Sequence, residues 1–403
     1  MTTPSTTPTY PDAPMHPAAH GYRRAEDCHL EDLLRVLEDR TDPARHPHAT
    51  RVEQGVPIYD ARALRPVLAD PAAADAVRAE LADALADGPG IVVMEGAVDV
   101  DVVDRASTTF AAIIEREKAS GQMAGDHFAS PGANDRVWNA LEKLAVADPE
   151  TFVAYYANDM IALAAEAWLG PAYQVTSQIN VVNPGGKGQT VHRDYHLGFQ
   201  APEVTGRYPG RVHDLSSLLT LQGAVAHCDM PVESGPTLYL PHSQKYSHGY
   251  LAYWLPEFQD YFTDHHVQLP LRAGDAVFFN PALFHAAGSN HTSDVRRMAN
   301  LLQISSAFGR AMETVDRDRV VRSVYPSLLA ARAAGMPEAD QYRVVAAAAE
   351  GYAFPTNLDR DTPVDGMTPR SQADVVRRAL AEEQTPQALG ERLEAVARAK
   401  LSH

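Results

Sequence analysis

Cysteine is almost missing: Cys28 and Cys228 are the only two in 403 residues. Neither a disulfide framework nor a cysteine-based zinc site can be built from so few, and the scarcity accords with a reducing compartment. Basic charge is also short, with 35 Lys and Arg against 52 Asp and Glu, a formal charge of −17. A surplus of that sign repels phosphate backbones and anionic lipid, so neither nucleic acid nor a membrane surface is expected as a main partner. Long apolar runs are lacking too; none approaches the roughly 18 residues of a membrane helix. Residues 1–20 do not have the basic-then-apolar layout of a signal peptide, so a soluble, cytoplasmic protein is expected.

What remains is an ordinary globular composition, 45% hydrophobic and 22% charged, with no internal repeat. Residues 1–20 are rich in Thr and Pro with almost no aliphatic content, and are expected to be a disordered tail. Residues 21–312 read as one elaborated domain. Its first part, 21–170, has mainly helical apolar spacing. Asp70-Pro71 is a cap and first turn ahead of Val77, Leu81 and Leu85, and Asp99 opens a second helix through Val103, Phe110 and Ile114. Between them the glycine-bounded run 90–94 reads as a buried strand. From 171 to 312 the pattern becomes short β-prone runs (174–182, 218–228, 237–240, 276–279, 298–304) separated by Gly, Pro, Asn and Asp, which predicts an antiparallel sandwich or jelly roll. Residues 313–403 return to helix. There Ser371-x-x-Asp374 resembles a capping box and Thr385-Pro386 opens a stripe of Leu389, Leu393 and Val396. This extension is expected to pack on the core or to mediate a homodimer.

The chemistry concentrates in two places, Thr190-Val191-His192-Arg193-Asp194-Tyr195-His196 after a predicted strand and Phe278-Phe279-Asn280-Pro281-Ala282-Leu283-Phe284-His285 far downstream. In extended chain, residues two apart face the same way, so His192 and Asp194 can reach one metal ion, and a later strand can bring His285. Two imidazoles and one carboxylate on one face of an octahedral ion leave three positions open, the arrangement of non-haem iron(II) oxygenases. Taken alone, His-x-Asp is a weak pattern in a chain with 17 histidines and 52 acidic residues. His192-Arg193-Asp194 also coincides with the catalytic loop of protein kinases, but no Asp-Phe-Gly or glycine-rich nucleotide loop accompanies it. The stronger signal is the company of His285: Gly288-Ser289-Asn290, then Arg296, on the way into another β-prone run. An inward guanidinium there is a natural bidentate clamp for a dicarboxylic cosubstrate. Arg297 points to the opposite face, so only one of the two can serve, and Arg296 is the expected one.

Residues 274–281 through His285 to Arg296 resemble the distal motif of the phytanoyl-CoA dioxygenase family. Glu233-Ser234-Gly235-Pro236-Thr237 with Leu240-Pro241-His242-Ser243-Gln244-Lys245 is similar to that family's turn, Gln178-Ile179-Asn180 to the strand before the first ligand, and residues 90–103 to its N-terminal opening. The matches span about 75–310 in the family's order. The resemblance implies a mainly β core, a double-stranded β-helix (jelly roll, cupin-like) with flanking N- and C-terminal α-helices. It also implies iron(II) on His192, Asp194 and His285, and 2-oxoglutarate on the iron, with Arg296 at its far carboxylate and Asn180 at its keto-acid end. The implied reaction hydroxylates or otherwise oxidises a C–H bond of a small metabolite with O2, releasing succinate and carbon dioxide. Asp194 stands where related halogenases have Ala or Gly, so halogenation is not expected. The sequence departs from the pattern at Ala287, where family members often have serine.

Several weaker signals have blander readings beside the functional ones. His196 is either a substrate contact or an outer histidine, and the His265-His266 pair reads as exposed. Gln303 falls on the face away from Arg296. The aromatic segment 246–262 is either a wall shielding the site or one helix carrying Tyr250, Trp254 and Phe258 at four-residue spacing. Two competing functions stand beside the oxygenase: a jelly-roll isomerase or hydrolase that does not use 2-oxoglutarate, and a non-catalytic binding sandwich. The richness in Arg and Ala associates the substrate with bacterial secondary metabolism.

Overall fold

The computed structural model describes residues 21–121, 133–364 and 366–403, so the tail expected over 1–20 lies outside the described residues. The described residues form eleven strands: β1 Arg51–Glu53, β2 Val56–Asp60, β3 Ile91–Glu95, β4 Asn134–Val137, β5 Gln174–Val182, β6 Thr220–Ala226, β7 Leu238–Leu240, β8 Val267–Gln268, β9 Ala276–Phe279, β10 Phe284–Ala286 and β11 Arg297–Ser305. Eight make one sheet in the order β1-β2-β3-β9-β6-β11-β5-β4, and three make a second in the order β10-β7-β8. All pairings are antiparallel except β2 with β3. This is the jelly-roll core that the short-strand pattern predicted, flanked by helices.

The large sheet inverts the usual amphipathy, and that inversion builds the site. Along β5 the apolar Val175, Ile179 and Val181 face a helical layer, whereas Gln178 and Asn180 line a cavity between the sheets. On β11, Leu302 and Ile304 join the helical layer while Arg297, Ala299 and Gln303 face inward, and on β6 Leu221 and Val225 pack outward while Gln222 and Ala224 face inward. Period-two alternation thus separates two interiors, one an apolar layer under the helices and one in which polar side chains share the cavity wall with apolar ones.

The outer face is covered by helices Val100–Ala119, Pro149–Tyr156, Asp159–Leu169 and Arg317–Ala333. Their Phe110, Phe152, Met160, Val320 and Val324 enter one cluster with the sheet residues. Full burial of each such side chain contributes about 1.5–3 kcal/mol. The start signals act as read: Asp70 accepts from the Ala73 amide, Asp99 from the Asp101 amide, and Ser371 with Asp374 forms a reciprocal capping box.

The region 21–170 is not purely helical, since it supplies β1 to β4. Pro57 inside β2 and the polar Asn134-Asp135-Arg136 of β4 hide these strands from propensity, and their pairing with β3 and β5 overrides it. Residues 218–219 close the helix Gly210–Leu218 rather than opening β6. The aromatic segment is not one helix: Gly249–Ala252 and Pro256–His265 are separate, because Pro256 starts a helix and holds Leu255 extended. Among the described residues no helix is long and apolar enough to cross a membrane.

Candidate metal centre

Past β5 the chain crosses to the small sheet, where His192 forms a bridge with His285 of β10. The His192 amide donates to the His285 carbonyl at 2.9 Å and the His285 amide returns the bond at 3.2 Å. Residues so paired present their side chains on one face, and the imidazole centroids lie 4.4 Å apart. Asp194, two residues on, shares that face; its amide donates to the Pro281 carbonyl at 3.0 Å. Its Oδ1 is 3.7 Å from His192 Nε2 and its Oδ2 is 3.4 Å from His285 Nε2. The three donor atoms all lie within 4.8 Å of one another, a spacing that one ion can span.

The imidazoles are oriented for ligation. His192 Nδ1 lies 2.9 Å from the Thr190 carbonyl and His285 Nδ1 2.8 Å from the Leu283 carbonyl. A carbonyl only accepts, so each Nδ1 carries a proton and each Nε2 presents its lone pair to the centre. Burial and the neighbouring His285 push the His192 imidazole below its usual range, keeping it neutral. Burial raises the Asp194 carboxyl, but the two histidines and a hydrogen bond from Gln222 outweigh it and hold the group at about 2. Two imidazoles that turn Nε2 to the centre and one carboxylate are a fitting donor set for a divalent first-row metal.

Arg193 points the opposite way, as alternation requires, and is 2% exposed. Its Nη2 donates to the carbonyls of Ser243 at 2.5 Å and Tyr246 at 2.9 Å, and its guanidinium lies over the rings of Tyr250 and Phe284. The ligand loop is thereby fastened to the aromatic segment. Tyr195 follows with φ 63°, ψ 145°, a left-handed strain stored directly beside a ligand.

The donors open into a cavity of about 750 Å³ between the sheets. Asn180 lines it as expected, its Oδ1 buried and without a partner. Arg296 does not line it. Its side chain is 61% exposed, ion-paired to Asp135 at 3.2 Å and bonded to Asn183 at 3.2 Å. The inward guanidinium is that of Arg297, 6% exposed on the cavity wall, where burial pushes its pKa down to about 10. The difference from the expected placement is one of parity. Leu302 and Ile304 occupy the outward face of β11, which leaves the odd positions inward, so Gln303 also lines the cavity, contrary to expectation. Those two apolar residues were the signal that could have settled it.

His196 lies off the cavity wall, 3.4 Å from the Thr220 hydroxyl. His265 is exposed and stacked on Tyr261. From the aromatic segment Tyr253 and Trp254 do form wall, with Phe199 opposite in sequence, while Tyr250 and Phe258 are core. Ala287 lines the cavity at the position where the resemblance led a serine to be expected. Sequence reasoning passed over Gln222, which orients Asp194, and Arg136, stacked on Trp138 at 4.9 Å and bonded to Gln178 at 2.9 Å. Apart from Asp194, no acidic side chain lines the cavity among the described residues.

The chain is similar to the non-haem alpha-ketoglutarate-dependent epimerase SnoN from nogalamycin biosynthesis, with 22% identity over 59% of this chain and 84% of that one, at a TM-score of 0.38. It is similar to the carbocyclase SnoK from the same biosynthesis, 23% identical over 58% and 86% of the chains at 0.40, and to AviO1 from Streptomyces viridochromogenes Tue57, 18% identical over 58% and 97% at 0.42. No curated protein matches. The phytanoyl-CoA dioxygenase (PhyH) family matches residues 86–298, just over half of the chain. That match runs from the last residue of the helix before β3, through both ligand-bearing segments, into β11, and the chain belongs to the phytanoyl-CoA dioxygenase family.

Proposed function

We propose that this protein is an iron(II)- and 2-oxoglutarate-dependent oxygenase that oxidises a C–H bond of a small organic molecule, most simply by hydroxylation. The observation that carries the reading is Arg297. A guanidinium 6% exposed, facing a cavity, with no ion pair among the described residues, is costly unless an anion joins it. A dicarboxylic cosubstrate chelated at the His192–Asp194–His285 centre supplies that anion. A metal isomerase or hydrolase, and a binding sandwich, give Arg297 no such task.

The bound iron and 2-oxo acid, with O2, supply the oxidising power, yielding succinate and carbon dioxide. The chain's own residues hold and shield them. His192, Asp194 and His285 are the ligands, and Gln222 keeps Asp194 turned inward. Arg297 takes the distal carboxylate, and Asn180 offers an amide to the keto-acid end. Tyr253, Trp254 and Phe199 form an apolar wall that keeps water from the reacting carbon. Asp194 would take up the position that a halide needs, so chlorinated product is not expected in assays containing chloride. A cavity whose only acidic side chain among the described residues is the candidate metal ligand Asp194 disfavours an amine substrate and suits a neutral or anionic one.

Anaerobic addition of iron(II) and then 2-oxoglutarate tests the reading. A visible charge-transfer band is expected from the wild type and not from His192→Ala. Absence of the band from the wild-type protein, or turnover that continues without 2-oxoglutarate, overturns the assignment.

A further inference from the structure

The cavity wall is rich in side-chain amides. Gln178, Gln189, Gln200, Gln222, Gln259 and Gln303 all line it, and apart from Asp194 no carboxylate does among the described residues. One of these amides is half used. Gln222 on β6 is 7% exposed and gives its Nε2 to Asp194 Oδ2, while its Oε1 is buried and has no hydrogen-bond partner. The side chain cannot be turned end for end, because the carboxylate only accepts and the amide nitrogen must stay on it. Gln303, register-paired with Gln222 across β6 and β11, supplies no donor either. A buried acceptor left empty is costly, so a bound molecule is called on to fill it. Arg297 stands at the other end of the inward face of β11 from Gln303, so the empty acceptor lies beside the metal ligands and away from the buried cation.

We infer that the substrate is a neutral hydroxylated ring compound, and that Gln222 selects it by accepting a hydrogen bond from a hydroxyl next to the carbon to be oxidised. The inference rests on the oxygenase reading above and adds a substrate class to it. 2-Oxoglutarate cannot fill the acceptor, since as a dianion it has no hydrogen to donate, and a substrate carboxylate fails for the same reason. An ammonium group has hydrogens to give but finds no carboxylate free of the metal to balance its charge. A hydroxyl both donates and accepts, so it meets Gln222 Oε1 and takes hydrogen bonds from other amides of the wall, which a neutral N–H does not. Trp138, Tyr253, Trp254 and Phe199 offer the ring flat apolar surface, and Trp254 and Phe199 are the exposed members of that set. The Tyr253 hydroxyl donates to the Gly198 carbonyl at 2.8 Å, which fastens the segments carrying Trp254 and Phe199 to one another.

The test uses two rings of one size, cyclohexane-1,2-diol, which donates and accepts, and cyclohexanone, which only accepts. Each is titrated anaerobically into the protein loaded with iron(II) and 2-oxoglutarate, and a shift of the charge-transfer band reports entry beside the metal. The diol is expected to bind the wild type about tenfold or more tightly than the ketone, because a site built to pair a hydroxyl rejects the ring that lacks it. Gln222→Lys keeps a donor for Asp194 but has no acceptor, and is expected to bring that ratio to about one or to reverse it. Where this variant gives no band, the wild-type ratio alone decides. Equal affinities or a preference for the ketone in the wild type, no shift with either ring, or a diol preference that survives in a band-forming Gln222→Lys protein overturns the assignment. A wild type that gives no band with 2-oxoglutarate alone fails the oxygenase reading instead.

Discussion

At the scale of single residues the two adjacent arginines separate most sharply. Arg297 is buried on the cavity wall and Arg296 is 61% exposed beside Asp135. Arg297→Leu is expected to weaken 2-oxoglutarate binding about a hundredfold, whereas Arg296→Leu should change it less than about twofold, because an exposed ion pair contributes little. Equal losses in a calorimetric titration would restore Arg296 to the role that the sequence assigned it. Gln222 acts at one remove through its hydrogen bond to Asp194. Gln222→Leu should lower iron(II) affinity about tenfold, measured by competition with a chelator of known affinity; an unchanged affinity would show the bond to be incidental. The three candidate ligands were legible in the sequence because His-x-Asp needs only strand alternation to put His192 and Asp194 on one face, and the motif around His285 marked the third. Gln222 was not, since a glutamine in an apolar run gives no sign of what it will face.

At the scale of elements, the fastening of the ligand loop by Arg193 decides how firmly His192 and Asp194 are held. Gly249 makes room for that guanidinium: a Cβ there would stand 1.9 Å from Arg193 Cζ. Gly249→Ala is therefore expected to destabilise the fold by about 2 kcal/mol or more and to lower metal affinity as well, both measurable by denaturant unfolding with and without iron(II). A variant as stable as the wild type would show that Arg193 has room to move. The jelly-roll strands from β5 onward were legible as short β-prone runs, as were the caps at Asp70, Asp99, Ser371 and Thr385. The strands β1, β2 and β4 were not, because Pro57 and a polar tetrapeptide become strand only when neighbouring edges pair with them. The aromatic segment shows the reverse error. Four-residue spacing across Pro256 describes a helix that the proline interrupts, and the break is what turns Trp254 to the cavity.

At the scale of the whole molecule, a second buried polar network sits between the large sheet and its helices. His227 Nδ1 lies 2.9 Å from the Ser107 hydroxyl and Nε2 3.0 Å from the Tyr155 hydroxyl, and burial pushes its pKa down to about 3 from 6.5. The unfolded chain takes up a proton at His227 below about pH 6.5 and the folded chain does not until near 3, so the unfolded state binds more protons across that window. Stability from this group is complete above about 6.5 and falls as pH drops toward 3, by roughly a few kcal/mol. Thermal midpoints measured from pH 7 to 4 should fall less steeply for His227→Asn than for the wild type; superimposable slopes would mean that the network tolerates the charge.

The amino-acid sequence determined which residues can bind a metal and that neighbouring strand positions face opposite ways, because both follow from residue type and from the two-residue period of extended chain. It also determined the membership of a jelly-roll family, carried by ordered motifs around His192, Asp194 and His285. What the tertiary structure decided is parity and partnership: that odd positions of β11 face the cavity, so Arg297 and not Arg296 meets it, and that Gln222 and Arg136 converge on it from separate strands. Register across a sheet is set by pairing with distant segments, and a one-residue difference in parity moves every side chain to the other face.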